Sequence, residues 1–347
     1  MHMTQKPSKH GAILAAALLA IGGAFATSSL SAQTVTTNPV GAVTTSLNTG
    51  LTLVGLTMVN PASYTGVVTA NTVTQITTTS AANFQSLLSS SDLYYVEITS
   101  GLYEGDRFDV DTAATVAAAG SVLTLKSDSS NNTVALIADV LNGSSFVVRK
   151  HITLNSLSAS VSPAFAGNNS AGSADQVIFY DRVSSSFKTY FLRSDNITWR
   201  QTGFQDSVGA STVIPPGVGV FIRRANGATT LTQVGEVRTN DFALPLYSGL
   251  SLLASGYPIT YSPSALNATA TTGWFGSNSA SSADQIITFS NATNGYSTFF
   301  LRSDGLTWRQ TGFQDDVASA QLISFDTGFW VKRTNLDVNY GVSAPSL

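Results

Sequence analysis

Residues 168–224 align with residues 277–333 at a constant offset of 109 and without a gap, and 27 of the 57 paired positions are identical. Whatever fold this chain adopts must build the same local structure twice. The densest stretch runs Phe191-Leu-Arg-Ser-Asp-Asn-Ile-Thr-Trp-Arg-Gln-Thr-Gly-Phe-Gln-Asp206 and differs from residues 300–315 at two positions only. Each copy reads as a β-meander. Asp175-Gln-Val-Ile-Phe-Tyr180 and Asp284-Gln-Ile-Ile-Thr-Phe289 are rich in β-branched and aromatic residues, as strands are. Polar turns follow, with Asn294-Gly295 a strong hairpin signal and Asp195-Asn196 and Asp304-Gly305 marking the next reversal. A Thr-Trp-Arg-Gln-Thr-Gly-Phe strand comes third, and Gly219-Val-Phe-Ile-Arg-Arg224 or Gly328-Phe-Trp-Val-Lys-Arg333 closes each copy.

Fainter echoes extend the pattern. Ser145-Phe-Val-Val-Arg-Lys150 repeats the closing cadence, Leu93 to Gly101 resembles the hairpin, and Gly50-Leu-Thr-Leu-Val-Gly55 is answered by Gly249-Leu-Ser-Leu-Leu-Ala254. The expected architecture is mainly all-β: tandem duplicated meander or sandwich-like units at 33–150, 151–240 and 241–347, the first diverged and carrying an insertion. Segments 81–90 and 112–119 are expected to supply one or two short helices in that first unit, with Phe84, Leu87 and Leu88 on one face.

The N-terminus reads as an address. A short stretch bearing Lys6 and Lys9 precedes the uncharged run GAILAAALLAIGGAFA at 11–26, the pattern of a secretory signal peptide. Cleavage is placed after Ala32, with Ala26 as the alternative. The mature chain then keeps fifteen basic and twenty acidic residues, a single histidine, His151, and no cysteine. Export is the expectation, to the periplasm, the cell surface or the exterior, with no transmembrane segment in the mature chain. Charged residues are only 11 % of the chain, so Ser, Thr, Asn and Gly carry its polarity. Such a surface lacks the clustered cations that nucleic-acid binding requires.

Three short motifs carry a resemblance: Thr37-Asn-Pro-Val-Gly41, Glu104-Gly-Asp-Arg-Phe-Asp-Val-Asp111 and Lys150-His-Ile-Thr-Leu154. In these the chain resembles an uncharacterised secreted, β-rich paralogous family abundant in Verrucomicrobia. The likeness implies export and a β-rich fold over most of the mature chain, and it implies no activity.

The chemistry the sequence can support is narrow. One histidine without cysteine cannot assemble a zinc site of the usual ligand set. No Gly-x-Ser-x-Gly elbow, phosphate loop or dinucleotide fingerprint occurs. His151, between Lys150 and Ile152, reads as a strand-end or interface residue rather than a general base. Glu97 and Glu104 have no duplicated partners and are the candidates for a carboxylate-dependent hydrolase. Glu104, Asp106, Asp109 and Asp111 form the densest acidic cluster, a candidate Ca²⁺ site, with a solvated strand face as the simpler account; no other cofactor is implied. Trp199, Arg200 and Gln201, with Trp308, Arg309 and Gln310, are the candidate ligand-binding residues, since an aromatic face beside amide and guanidinium donors suits a sugar ring. Strict alternation sets Trp199 and Phe204 on opposite faces, whereas a bulge at Gly203 would bring both into a core. The role expected overall is an exported, non-catalytic structural or interaction protein. Its partners would be surface polysaccharides or proteins, or further copies of itself. Carbohydrate binding through the tryptophan strands is the alternative.

Overall fold

In a computed structural model, the described residues are 39–79, 82–118, 120–126, 136–335 and 337–345. The expected signal segment, residues 1–32, lies outside them. The chain is an all-β protein of antiparallel sheets, none of which closes on itself, with three short α-helices among the described residues.

The two copies of the repeat build the same five-stranded sheet. In the middle module the order is Trp199–Gln201, Ser186–Leu192, Gln176–Asp181, Gly219–Arg224, Gly50–Gly55. In the C-terminal module it is Trp308–Gln310, Gly295–Leu301, Gln285–Ser290, Phe329–Arg333, Gly249–Leu253. Registers match as well: Phe221 faces Leu53 as Trp330 faces Leu252. Each sheet is covered by a ribbon of first and last strands, Val40–Leu47 with Thr229–Glu236, and Phe242–Leu246 with Val338–Val342. Apolar alternation makes this a sandwich. Leu47, Val177, Leu192, Trp199, Ile222 and Leu231 fill one core, and Leu246, Ile286, Leu301, Trp308, Val331 and Tyr340 the other.

The sheet of the middle module thus crosses the expected boundary at 150, because its edge strand is Gly50–Gly55. That strand precedes its copy by 199 residues, while the remainder of the repeat is offset by 109, so the middle module carries 90 residues more. The extra segment folds as its own sheet, ordered Ala62–Val67, Ser145–Lys150, Tyr94–Ile98, Arg107–Asp109. There Ser145–Lys150 lies between an opening strand and a hairpin strand, as Gly219–Arg224 does in the middle module.

The helices differ in part from expectation. Within 81–90 only Phe84–Leu87 is helical, and Leu87 is exposed while Phe84 and Leu88 are buried. The helix stops at Leu87 and Leu88 is already extended, so the expected i, i+3, i+4 face is not completed. Thr112–Ala118 is helical as expected. A third helix, Leu154–Ala159, lies outside the first unit and starts at a capping box between Thr153 and Ser156.

The two duplicated sheets pack on each other about a pseudo-twofold axis. Tyr180 meets Trp330 at 4.8 Å between ring centroids, and the reciprocal pair Phe289 and Phe221 meets at 5.6 Å. Gly55 N–H donates to Asp326 O over 2.9 Å, and Ala254 N–H donates to Gly217 O over 2.8 Å. Gly219 and Gly328 meet near the axis, where a Cβ on either would lie 3.2 Å from the other's Cα. Side chains there would force the sheets apart.

Candidate functional site

Trp199 and Trp308, candidates for a sugar platform and alternatively for a core, are core residues. Trp199 is 1 % exposed and Trp308 is fully buried. Their indole N–H groups are already used, Trp199 Nε1 donating to Ser158 Oγ over 2.9 Å and Trp308 Nε1 to Ala268 O over 2.8 Å. Phe165 and Trp274 close over them edge to face at 5.6 and 5.5 Å. A ring with neither face open cannot act as a platform, so the carbohydrate site on these strands is corrected to a hydrophobic core. Gln201 and Gln310 are half-buried in the same strands.

What the strands expose lies just beyond them. Gly203 and Gly312 both adopt φ +89°, a left-handed turn that suits glycine, so the chain reverses where a bulge was expected. Phe204 and Phe313 are lifted to the surface, 57 % and 58 % exposed. Arg200 Nη1 donates to Gln205 Oε1 over 2.6 Å, and Arg309 Nη1 to Gln314 Oε1 over 2.7 Å. The neighbouring turn presents Ile197 in one copy and Leu306 in the other, both exposed. Asp195 and Asp304 hold that turn by accepting from the two following backbone N–H groups. Hydrogen bonds from the Thr198 hydroxyl and these amides hold the Asp195 carboxyl down at about 2, and Thr307 does the same for Asp304.

The acidic cluster does not converge. Glu104 Oε1 accepts the Asp241 N–H, Asp109 pairs with His151 over 2.9 Å, and Asp111 accepts the Ala114 N–H at the start of a helix. Asp106 is buried. Among the described residues no group of three or more His, Asp or Glu side chains is placed to hold a metal ion. Glu104, Asp109 and Asp111 are each engaged by a different part of the chain, which corrects the calcium expectation. His151 is buried against the Tyr95 ring at 4.9 Å.

Glu97 belongs to a buried charge cluster where the inserted sheet meets the C-terminal module. Its carboxylate accepts Arg238 Nε at 2.6 Å, Arg238 Nη2 at 3.2 Å and Asn240 Nδ2 at 3.0 Å. Arg107 donates to Ala243 O over 3.0 Å, and both guanidiniums lie 4.1 Å from the Phe242 ring centroid. Burial pushes the Glu97 carboxyl up, but the charge and hydrogen bonds of Arg238, with Arg107 and Asn240, outweigh it and leave it below its ordinary value. Burial draws Arg107 down to about 10 against the pull of Glu97. This is a structural junction with all its charges engaged.

The buried duplicated acids Asp175 and Asp284 are structural too. Asp175 pairs with Arg224 and accepts the Ala166 and Ala225 N–H groups, while Asp284 pairs with Arg333 and accepts those of Phe275 and Thr334. Sequence reasoning passed over Phe204 and Phe313 as surface groups. The available signal was the glycine before each, which marks a turn at the strand's end that carries the following residue outward. No protein-family model, curated protein or solved structure matches this chain.

Proposed function

We propose that this is an exported, non-catalytic interaction protein whose contact surface is the exposed loop 202–206 together with its copy, 311–315. The observation that carries the reading is an unbroken run of five exposed positions that are identical in the two copies. Buried positions such as Leu192 and Leu301, Trp199 and Trp308, and Ile214 and Ile323 are kept alike by the cores they fill, although Val220 and Phe329 or Phe221 and Trp330 differ. The five exposed residues Thr-Gly-Phe-Gln-Asp are the same in both. Another exposed turn, 182–186 against 291–295, differs at every position. An outward Phe costs solvation and adds nothing to either core, so a contact outside the molecule is its natural use. The signal-like N-terminus and the neutral surface support export. Two equal sites on one chain suit repeated epitopes of a surface polymer or protein, because linkage multiplies weak affinities.

The test is retention of labelled protein on the envelope fraction of the producing cells. The Phe204→Ala, Phe313→Ala double variant is expected to lose on the order of 100-fold in retention, and each single variant less than half of that on a logarithmic scale. Equal retention of wild type and double variant would sink the proposal.

A further inference from the structure

The pseudo-twofold axis fails at one place. On the C-terminal side, Asn291 reaches across to the edge strand Gly50–Gly55, accepting the Leu53 N–H at Oδ1 over 2.8 Å and donating from Nδ2 to Leu53 O over 3.1 Å. The residue at the matching position of the middle module is Arg182, and the matching edge residue is Leu252. Arg182 does not reach Leu252; its guanidinium lies 3.7 Å over the Tyr247 ring. A cavity of about 220 Å³ occupies the region, lined by Tyr180, Arg182, Pro215, Tyr247, Ser251 and Leu252, among others.

Donors collect around this cavity. Leu252 faces Trp330 in the register by which Leu53 faces Phe221, so its N–H is turned away from the partner strand. An antiparallel strand alternates inward and outward amides, and equal register gives equal direction. No side chain among the described residues takes the part for Leu252 that Asn291 takes for Leu53. Ser251 is 5 % exposed and its hydroxyl has no hydrogen-bond partner, as is also true of Thr52 at the matching position, so the asymmetry lies in the Leu252 amide and Arg182. Arg182 stands at the rim with its charge. The one acid in the lining, Asp181, is already bound by Lys188 over 2.9 Å and by Ser184.

We propose that this cavity is a binding site for a small carboxylate carrying a short apolar tail. One carboxylate oxygen accepts the Leu252 N–H, as Asn291 Oδ1 accepts that of Leu53. The Ser251 hydroxyl donates to the same group, Arg182 swings from Tyr247 to pair with its charge, and the proline and tyrosine walls hold the tail.

The probe is sodium propionate, titrated into ¹⁵N-labelled full-length protein at constant ionic strength and followed by amide NMR. Propionamide and propylammonium serve as controls of the same size. The Leu252 amide is expected to shift saturably with propionate, at least tenfold more weakly with propionamide, and not with propylammonium. Arg182→Ala should weaken propionate binding tenfold or more. Arg182→Asn, which offers the middle module the plug its copy has, should abolish the Leu252 response. A Leu252 amide unmoved by propionate in the wild type overturns the site. So does a response of equal strength to propionamide, or one that survives unchanged in Arg182→Asn.

Discussion

The middle and C-terminal modules share a sheet order, a register and a buried Asp–Arg pair, and differ in what fills the space between these fixed points. Phe165 covers Trp199 in the middle module, where Leu231 is the buried neighbour strand's contribution; Trp274 covers Trp308 in the C-terminal one, where Tyr340 packs on Trp274 at 5.7 Å. The backbone frame therefore tolerates exchange of whole aromatic rings, and at both of these positions the C-terminal module carries the larger side chain. The fixed points are polar. Asp175 and Asp284 each tie a closing-strand arginine to two backbone amides, and a carboxylate in that position has no substitute of another shape.

If the modules are energetically equal, the largest effects must come in matched pairs. Trp199→Ala and Trp308→Ala should each cost about 3–5 kcal/mol, by loss of the buried ring and the cavity it leaves. Urea unfolding of the two variants measures this. A cost under about 1 kcal/mol for either would break the equivalence of the cores, since such a value is ordinary for surface positions.

The inserted sheet has no counterpart in the C-terminal module, and its attachment is ionic where the modules' own contact is apolar. Glu97→Gln leaves Arg238 buried without the carboxylate that pairs with it, for an expected loss of about 3–5 kcal/mol. The pH dependence distinguishes this junction. The folded Glu97 carboxyl lies below its ordinary value, so its contribution is fully present above the unfolded value of about 4.3. It is lost as pH falls through the folded value. Acid titration of stability should therefore fall more steeply in wild type than in Glu97→Gln below about pH 4. Parallel curves would mean that the junction contributes nothing.

How much of this was legible in the sequence follows from the range of each interaction. Strand identity was readable because β-branched and aromatic runs, turn asparagines and the 109-residue offset are local or repeated signals. Asn196 and Asn294 do adopt the positive φ their turns suggested. The route of Gly50–Gly55 was not readable, although its likeness to 249–254 was visible. Its partner strand lies some 165 residues away, and nothing local tells an edge strand which sheet it will join. The tryptophan strand was left open between core and platform for a related reason. A Trp-Arg-Gln string looks the same whether its ring faces a core or water, and the partners that bury it, Phe165 and Trp274, precede the tryptophans by 34 residues each. Likewise the acids at 104–111 are dense in sequence and dispersed in space, because a strand and a helix start divide them.

The broken symmetry at Asn291 sharpens the comparison at a smaller scale. Asn291→Ala removes two hydrogen bonds to Leu53 and should cost about 1–2 kcal/mol. Arg182→Ala, at the equivalent position, removes one exposed ring contact and should cost about 0.5 kcal/mol. Equal losses in thermal unfolding would show that the two positions are used alike, and the asymmetry would then have no energetic meaning.

The smallest effect on stability is expected where the copies agree most. Phe204 and Phe313 sit on reversals fixed by Gly203 and Gly312 and by the bonds of Arg200 and Arg309, none of which needs a ring. Phe204→Ala and Phe313→Ala should each lie within about 0.5 kcal/mol of wild type, separately and together. Differential scanning calorimetry of the two single variants and the double variant checks this. A destabilisation above about 2 kcal/mol would place the rings in the folding of their modules, and their identity between copies would then follow from the same constraint that keeps Trp199 and Trp308 alike. Unchanged melting leaves folding unable to explain why Phe204 and Phe313 are kept alike on the surface, and contact with something outside the chain is the physical account that remains.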